Sequence, residues 1–356
     1  MVVVPKTRCR IRTVFVAASI VLAAAACGSG AVPAPPSAGQ TPRSAAAASD
    51  GQLVEKLTSE VGVAGAMVHL EALQKIADEH GGNRAAGTAG FDASVDYTAG
   101  VLRAAGFEVS TPSYEASGND DVPPGTGRNV IAQTHTGDPD HVVMIGAHLD
   151  SVPAGPGIVD DGSGVASLLE IATRLGSSPE VQNATRFAFF GHEETGSQGS
   201  TGYVTSLSAE DRKKITLYLN VDMVASPNGG YFAQGGEGGD QKSAGPPGSA
   251  TVGRELADRL AGTGVKPEII EFVGDDESPF IKAGIPVGGA ENGDRKEKTA
   301  AQAAAWGGRA GEVYDPCYHS ACDRIDNVNR DVLDHYLRAI AGTVAHFATS
   351  TDELQR

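Results

Sequence analysis

Residues 142–150 read VVMIGAHLD, an apolar run that passes through a glycine into a histidine and an aspartate. A short continuous apolar run that ends at a glycine is typical of a buried strand. Similar runs occupy residues 186–190 (RFAFF) and 215–221 (ITLYLNV), and a helical apolar pattern at residues 163–175 separates the first two. Strands that alternate with helices predict an α/β fold: one globular domain with a mostly parallel central sheet and helices on both faces.

Apolar periodicity predicts further helices, and clusters of glycine, proline and serine predict two long surface loops. The helices are expected at residues 66–80, 93–105, 253–261 and 331–348, and the loops at residues 226–250 and 288–311. Together these elements place the folded domain at residues 51–350, before a short tail at 351–356.

The overall composition is that of a globular protein. Of the 356 residues, 40% are hydrophobic and 20% are charged, which excludes a disordered or fibrous chain. The formal net charge is −16, so a polyanionic nucleic acid is a poor partner and none is predicted. We expect a monomer.

The N-terminal region predicts export. Residues 1–13 carry basic but no acidic side chains, and residues 14–26 are apolar or small, too short a stretch to span a membrane. We interpret residues 1–26 as a signal peptide. Small residues directly before Cys27 resemble a bacterial lipobox, so Cys27 is expected to carry a lipid that anchors the exported protein to the outer face of the cell membrane; a secreted protein is the alternative. Residues 27–50 are mostly Ala, Pro, Ser and Gly, which predicts a flexible linker.

Side chains able to bind a metal ion follow each of the predicted strands. Because the carboxyl ends of parallel strands meet at one edge of a sheet, these side chains are expected to lie close together. Imidazole and carboxylate groups together suit zinc, and two histidines with three carboxylates can hold two ions when one carboxylate bridges them. Taken singly, each motif has a structural explanation, such as a helix cap at residues 160–163. In chain order the residues are His148, Asp150, Asp160, Glu193, Glu194, Asp222 and, far downstream, His319.

Asp150 differs from the other acidic residues in its position. It lies two residues after His148, where a carboxylate can orient the imidazole ring through its second nitrogen. We therefore predict that Asp150 supports the site without binding metal itself.

Five motifs stand out along the chain: GAHLDS (146–151), DDGSG (160–164), GHEETG (191–196), LNVDM (219–223) and YH (318–319). In this order and at these spacings they resemble the secreted dinuclear zinc aminopeptidases of the aminopeptidase S and aminopeptidase Y type, metallopeptidase family 28. The likeness extends to residues 81–84 (GGNR) upstream and to residues 306–308 (WGG) downstream, and so covers nearly the whole folded part.

The resemblance implies two zinc ions per chain and assigns a ligand set to them. His148 and Asp222 would bind one ion, Glu194 and His319 the other, and Asp160 would bridge the two. Zinc-dependent removal of N-terminal residues from peptides or proteins is the activity that this implies.

The resemblance also implies the remaining roles at the site. Glu193 would be the general base that activates water, and Tyr318 would donate a hydrogen bond to the developing oxyanion. A cis peptide bond is expected between Asp160 and Asp161. A disulfide bond is expected between Cys317 and Cys322, and export makes that oxidation permissible.

One loop departs from the family pattern. Similar enzymes often read G-R-S-D before a Pro-Phe pair, with the arginine in contact with bound ligand. Here residues 272–280 read FVGDDESPF, one residue shorter and without the arginine, so the role of residues 274–277 in substrate contact stays open. Two other functions also stay open: a glutaminyl cyclase-like enzyme with a single zinc ion, and a non-catalytic lipoprotein that binds peptides on the same scaffold.

Overall fold

The computed structural model describes residues 42–235, 245–351 and 354, with side chains from residue 51 onward. The predicted signal peptide, Cys27 and most of the predicted linker lie outside the described residues. Within the described part, no helix combines the length and apolarity needed to cross a membrane.

Strands and helices alternate along most of the chain. The strands are β1 (Glu108–Ser110), β2 (Ser113–Ala116), β3 (Gly125–Arg128), β4 (Val130–Gln133), β5 (Asp138–His148), β6 (Asn183–Phe190), β7 (Ile215–Val221), β8 (Phe232–Gln234), β9 (Glu268–Ile270) and β10 (Val287–Glu291). The helices are α1 (Pro42–Glu60), α2 (Val63–Glu79), α3 (Ala89–Ala104), α4 (Gly162–Leu175), α5 (Gln198–Ser206), α6 (Ala209–Lys214), α7 (Ser249–Gly262), α8 (Ser278–Lys282), α9 (Ala300–Trp306) and α10 (Arg330–Thr349).

Eight strands form one sheet in the order β1-β4-β6-β5-β7-β10-β8-β9, and β2 and β3 form a separate hairpin. The central strands β6, β5, β7 and β10 run parallel to one another. The pairs β1–β4, β4–β6 and β10–β8 are antiparallel. The predicted fold class, a mostly parallel sheet flanked by helices, is therefore confirmed, with the antiparallel pairs towards the edges.

Helices bury both faces of the sheet, which explains why β5 is a continuous apolar run rather than an alternating one. On one face, α4 and α10 pack against alternate side chains of the central strands and α2 packs on α4, to form the larger core. On the other face a smaller cluster contains Phe190, Tyr218 and Phe280. There the rings of Tyr218 and Phe280 stack with centroids 3.9 Å apart. Truncation of a buried ring such as Phe280 to alanine costs about 3–5 kcal/mol.

The first helix corrects the predicted start of the fold. We predicted a flexible linker to residue 50, but α1 begins at Pro42. The four consecutive alanines at residues 45–48 have the highest helix propensity of any residue, and proline is well tolerated in the first turn of a helix. The composition that suggested a linker also favours a helix.

The two predicted loops contain regular elements that sequence patterns did not show. Residues 226–250 include β8, and residues 288–311 include α9 and most of β10. The sequence of β10 is VGGAE, and glycine is depleted in strands, so this stretch resembled a loop. Its glycines permit close packing: a Cβ atom at Gly288 would lie 2.6 Å from Val252, and one at Gly289 would lie 2.7 Å from Gln234. A neighbouring helix and strand therefore approach β10 directly.

Candidate metal centre

The first half of the predicted site forms around His148, the last residue of β5. Its Nε2 atom lies 3.1 Å from Oδ1 of Asp160 and 3.6 Å from Oδ1 of Asp222, which follows β7. All three side chains are largely shielded from solvent, with His148 only 2% exposed. A buried imidazole nitrogen that faces two carboxylates is a combination of groups that can bind zinc.

The second half forms around His319. Its Nε2 atom lies 2.9 Å from Oε2 of Glu194 and 3.2 Å from Oδ2 of Asp160. The two oxygens of Asp160 thus face different imidazoles, one on each side. This is the arrangement that a bridging carboxylate requires, and all five predicted ligands lie at one edge of the sheet.

The donors fit a metal ion because buried oxygen atoms here lack partners. Oδ2 of Asp160 and Oε1 of Glu194 are buried without an aligned hydrogen-bond donor among the described residues. Burial and the nearby Asp160 raise the pKa of Glu194 to about 7. Burial lowers the pKa of His319, but the adjacent carboxylates of Asp160 and Glu194 outweigh this effect and raise the pKa to about 10. Carboxylates and imidazoles crowded in this way are typical of groups that a cation holds together.

Asp161 also lies near His148 and Asp222, with ligand atoms within 4.8 Å of one another. Its carboxylate, however, already accepts three backbone N–H bonds, from His148, Gly164 and Met223, at 2.9–3.1 Å. Asp161 therefore caps α4 and joins three ligand-bearing segments, while Asp160 faces the histidines. The expected cis peptide bond connects these two residues.

Asp150 orients His148, but by a different atom from the one predicted. Nδ1 of His148 lies 3.0 Å from the backbone carbonyl of Asp150 and 3.8 Å from its carboxylate. The carbonyl acceptor fixes the proton on Nδ1 and leaves Nε2 free to bind metal. The carboxylate instead accepts a hydrogen bond of 3.1 Å from the backbone N–H of Glu193. Asp150 thus connects the His148 segment to the predicted general base.

Two buried residues that we did not assign to the site support it from below. Asp323 accepts hydrogen bonds from the backbone N–H groups of Val159 and Asp160, at 2.8 and 3.1 Å. Arg84, fully buried, donates to the backbone carbonyls of Leu149, Pro156 and Gly157. Arg84 falls within residues 81–84, which matched the family pattern, whereas Asp323 lies outside the stretches that did. Only the folded chain shows which backbone atoms they hold.

The backbone is strained at the site. Among the described residues other than glycine, four have positive φ angles near 55°: His192, Ser197, Met223 and His319. Each is a predicted ligand or lies within three residues of one, and such outliers cluster at functional sites. His192, which we left unassigned, is buried, and its Nδ1 atom lies 2.9 Å from the hydroxyl group of Tyr114. This contact anchors the Glu193–Glu194 turn to the β2–β3 hairpin.

Tyr318 lies beside the second histidine. Its ring stacks on His319 with centroids 3.8 Å apart, and it lines the cavity above the ligands. The predicted disulfide bond between Cys317 and Cys322 is present, with Cα atoms 5.2 Å apart. The bridge closes the short segment that carries both Tyr318 and His319, and so restricts their positions.

The ligands open into a cavity of about 260 Å³ that is rich in carboxylates. Besides the ligands, Glu193 and Tyr318 line it, as do Asp275, Glu291 and Asp294. Burial raises the pKa of Glu193 well above its usual value, as expected of a carboxylate that must accept a proton near neutral pH.

Residues 129–344 match the model of peptidase family M28. The chain belongs to peptidase family M28. The family resemblance predicted from the motifs is therefore confirmed over most of the described residues.

Several individual proteins are similar in sequence to this chain. Leupeptin-inactivating enzyme 1 of Streptomyces exfoliatus is 43% identical over 288 residues, which are 79% of this chain and 61% of the relative. An aminopeptidase of Pseudomonas aeruginosa is 47% identical over 225 residues, 63% of this chain and 42% of the relative. A probable lipoprotein aminopeptidase of Mycobacterium tuberculosis, LpqL, is 48% identical over 227 residues, 62% of this chain and 45% of the relative. The chain thus spans less than two thirds of the length of these relatives.

Solved structures share the fold. A zinc aminopeptidase of Bacillus subtilis superposes with a TM-score of 0.65 at 17% identity, over 83% of this chain and 99% of that one. A glutaminyl cyclase of Porphyromonas gingivalis superposes with a TM-score of 0.62 at 21% identity, over 80% of this chain and 98% of that one. Because both enzymes have this fold, the fold alone does not distinguish their reactions.

Proposed function

We propose that this chain is a zinc-dependent aminopeptidase that removes N-terminal residues from peptides or proteins. The observation that carries the proposal is Asp160, whose two carboxylate oxygens face His148 on one side and His319 on the other. A site for a single ion needs no carboxylate in that position. Among the named relatives, the aminopeptidases of Pseudomonas and Mycobacterium support the same activity.

The ligand assignment follows the two halves of the site. His148 and Asp222 would hold one zinc ion, Glu194 and His319 the other, with Asp160 between them. Bound at these positions, the ions would supply charge that polarises the scissile carbonyl and lowers the pKa of the attacking water.

The protein's own residues would carry the proton and stabilise the transition state. Glu193 would accept the proton of the attacking water and pass it to the leaving amine. Its Oε1 atom lies 3.2 Å from the hydroxyl group of Ser197, which restricts the carboxylate. Tyr318 would donate to the oxyanion, a contribution of about 3 kcal/mol for comparable donors. The surrounding carboxylates attract a free α-ammonium group, which favours cleavage at the N-terminus over cleavage within a chain.

The experiment that tests the activity is a panel of aminoacyl anilides with residues 42–356, with chelator and after zinc is restored. We expect hydrolysis that chelator abolishes and zinc restores, with two zinc ions per chain by plasma emission. One zinc ion with cyclisation of N-terminal glutamine would favour the cyclase alternative. Zinc binding without hydrolysis of any anilide would favour a peptide-binding lipoprotein.

We also propose that a lipid on Cys27 anchors the exported protein to the membrane. The proposal rests on the basic residues at 1–13, the apolar stretch at 14–26 and the small residues before Cys27. The name of the LpqL relative, a probable lipoprotein aminopeptidase, supports it. Two acyl chains give a stable anchor where one is marginal. Detergent phase partitioning tests it: wild type should enter the detergent phase and Cys27→Ala the aqueous phase. Equal partition of both into the aqueous phase would contradict the anchor.

A further inference from the structure

A second, larger cavity adjoins the metal centre. Its volume is about 680 Å³, and it lies between the β9 segment and residues 291–302. Val273, Glu291 and Lys296 line both this cavity and the smaller one above the ligands. A substrate whose carbonyl lies at the metal ligands can therefore extend a side chain past these three residues into the larger space.

Glu291 is the carboxylate at the junction, where Lys296 is the other polar residue. It ends β10 next to the strand that carries Asp222, and it is only 8% exposed. Its Oε2 atom accepts a 3.0 Å hydrogen bond from the neutral amide of Gln234, and we find no second donor to this carboxylate among the described residues. Burial raises the pKa of Glu291 to about 7, although Gln234 and the ammonium group of Lys296 partly offset this increase. A buried carboxylate whose only hydrogen bond comes from a neutral amide is incompletely compensated even with Lys296 nearby, so a second cation in direct contact with it would be stabilised.

The rest of the larger cavity suits a long cationic side chain. Phe232, Phe272 and Val273 supply apolar wall for a methylene stem, since lysine and arginine bury their stems along apolar surface. Further carboxylates line it at Glu271 and Glu297. Among the described residues, Lys296 is the only lysine or arginine that lines either cavity. Two zinc ions would not neutralise the carboxylates of both cavities.

We propose that the larger cavity receives the first side chain of the substrate and that Glu291 selects lysine or arginine there. The proposal rests on the proposed aminopeptidase function and adds the substrate class. It stands on the cavity, on its shared wall with the metal centre and on the buried carboxylate between them. An acidic first residue would be repelled by the same lining.

The test compares lysyl and norleucyl anilides, which differ chiefly in the terminal ammonium group. In wild type, kcat/KM for the lysyl substrate should exceed that for the norleucyl substrate at least about tenfold. Glu291→Gln should lower this ratio by about 10- to 100-fold, the range expected for a charge-assisted hydrogen bond, through loss of lysyl turnover. Glu210→Gln is the control for net charge, because Glu210 is exposed in the first turn of α6, which leads into the amino end of β7, whereas the metal ligands lie at the carboxyl ends of the parallel strands. It should leave the ratio within about twofold.

A binding measurement separates this proposal from the proposed function. The zinc-loaded protein is titrated with L-lysinamide and L-norleucinamide by calorimetry, for wild type and Glu291→Gln, with thermal unfolding as a check of folding. Tighter binding of lysinamide than of norleucinamide, lost in Glu291→Gln, would support the pocket. It would do so even if no anilide were hydrolysed, because absence of hydrolysis contradicts only the aminopeptidase function. Hydrolysis with an unchanged lysyl-to-norleucyl ratio in folded Glu291→Gln would overturn the role of Glu291 and leave the aminopeptidase function intact.

Discussion

The two walls of the metal centre treat buried carboxylates differently. In the inner wall, formed by Asp150, Asp161 and Asp323, each carboxylate accepts at least one backbone N–H bond. The outer wall is the loop of residues 274–277, in which Asp275 lines the cavity. There Oε1 of Glu277 accepts two backbone N–H bonds, but both oxygens of Asp276 lack an aligned donor among the described residues. Ser200 lies near Asp276 without a well-aligned bond. Burial raises the pKa of both Asp276 and Asp323 to about 7, so burial is not what distinguishes the walls.

The difference distinguishes carboxylates that position the metal ligands from carboxylates that attract cations. Carboxylates that accept backbone bonds fix the course of the chain, and so hold the ligands in place before a metal ion arrives. Asp276 accepts no backbone bond, so it holds no segment in place; when ionised, it adds to the negative potential near the metal centre. Changes in the inner wall should therefore reduce catalysis and stability most. In the outer wall, removal of the Asp276 charge should not reduce stability, and changes to the loop should mainly affect substrate preference.

The largest effect is expected from Glu193→Gln, at the edge of the inner wall. It removes the proton acceptor but none of the predicted ligands, so kcat on a leucyl anilide should fall about 10³- to 10⁴-fold, the upper range for general-base loss. Zinc content by plasma emission should stay at the wild-type value. Glu194→Gln is the matched control, since the adjacent change should lose or weaken one ion. Near-wild-type turnover of Glu193→Gln would contradict the assigned role.

Asp323→Ala should destabilise the inner wall itself. It leaves the backbone N–H groups of Val159 and Asp160 buried without an acceptor, at a cost of about 2–4 kcal/mol in the free energy of unfolding. Zinc affinity should fall as well, because Asp160 would lose its support. Urea unfolding and zinc titration measure both effects, and Asp323→Asn, which keeps one acceptor, should lose less. An unchanged midpoint for Asp323→Ala would show that the wall does not depend on these bonds.

Asp276→Asn, in the outer wall, should stabilise the protein at high pH instead of destabilising it. The pKa of Asp276 is raised to about 7 from a usual value of 3.8, so the folded state binds its proton more tightly than the unfolded state. Its contribution to stability is complete below about pH 3.8 and is lost as the pH rises through 7. The variant should therefore match wild type near pH 4 and be more stable by about 1–3 kcal/mol at pH 8. Urea unfolding at the two pH values checks this; a less stable variant at pH 8 would contradict it.

The smallest effect is expected from the loop that departs from the family pattern. Glu277 closes this loop by accepting the backbone N–H groups of Gly274 and Asp275. Replacement of residues 274–277 by Gly-Arg-Ser-Asp leaves every predicted ligand and base in place. We expect a change in KM of about two- to tenfold with kcat nearly unchanged, and a larger increase for lysyl than for norleucyl substrates. Steady-state kinetics on both anilides measures these changes. An unchanged KM would show that the loop does not contact substrate.

Sequence patterns predicted the parts of the site that local rules govern. We predicted that His148, Glu194 and Asp222 lie at one edge of the sheet. Each follows a predicted buried strand, and parallel strands have their carboxyl ends at the same edge. The short strands β1, β4, β8 and β9 carry too few residues to show a period, and β10 is rich in glycine. The roles of Asp161 and Asp323 could not be predicted because they depend on which backbone amides of distant segments point at each carboxylate. Asp150 was predicted to act by its side chain, and only the folded chain shows that its carbonyl lies closer to His148.

The hydrogen bond from Val159 to Asp323 joins residues 164 positions apart. Residues that far apart meet only when the intervening chain has folded, so the unfolded chain holds no preformed site of the kind that two histidines one helical turn apart provide. A metal ion would therefore bind the native state almost exclusively, and its binding energy would add to the free energy of unfolding. Zinc would act in this domain as a late, reversible cross-link between its first and last parts. Chelation would then reduce its resistance to heat and proteolysis together with its chemistry.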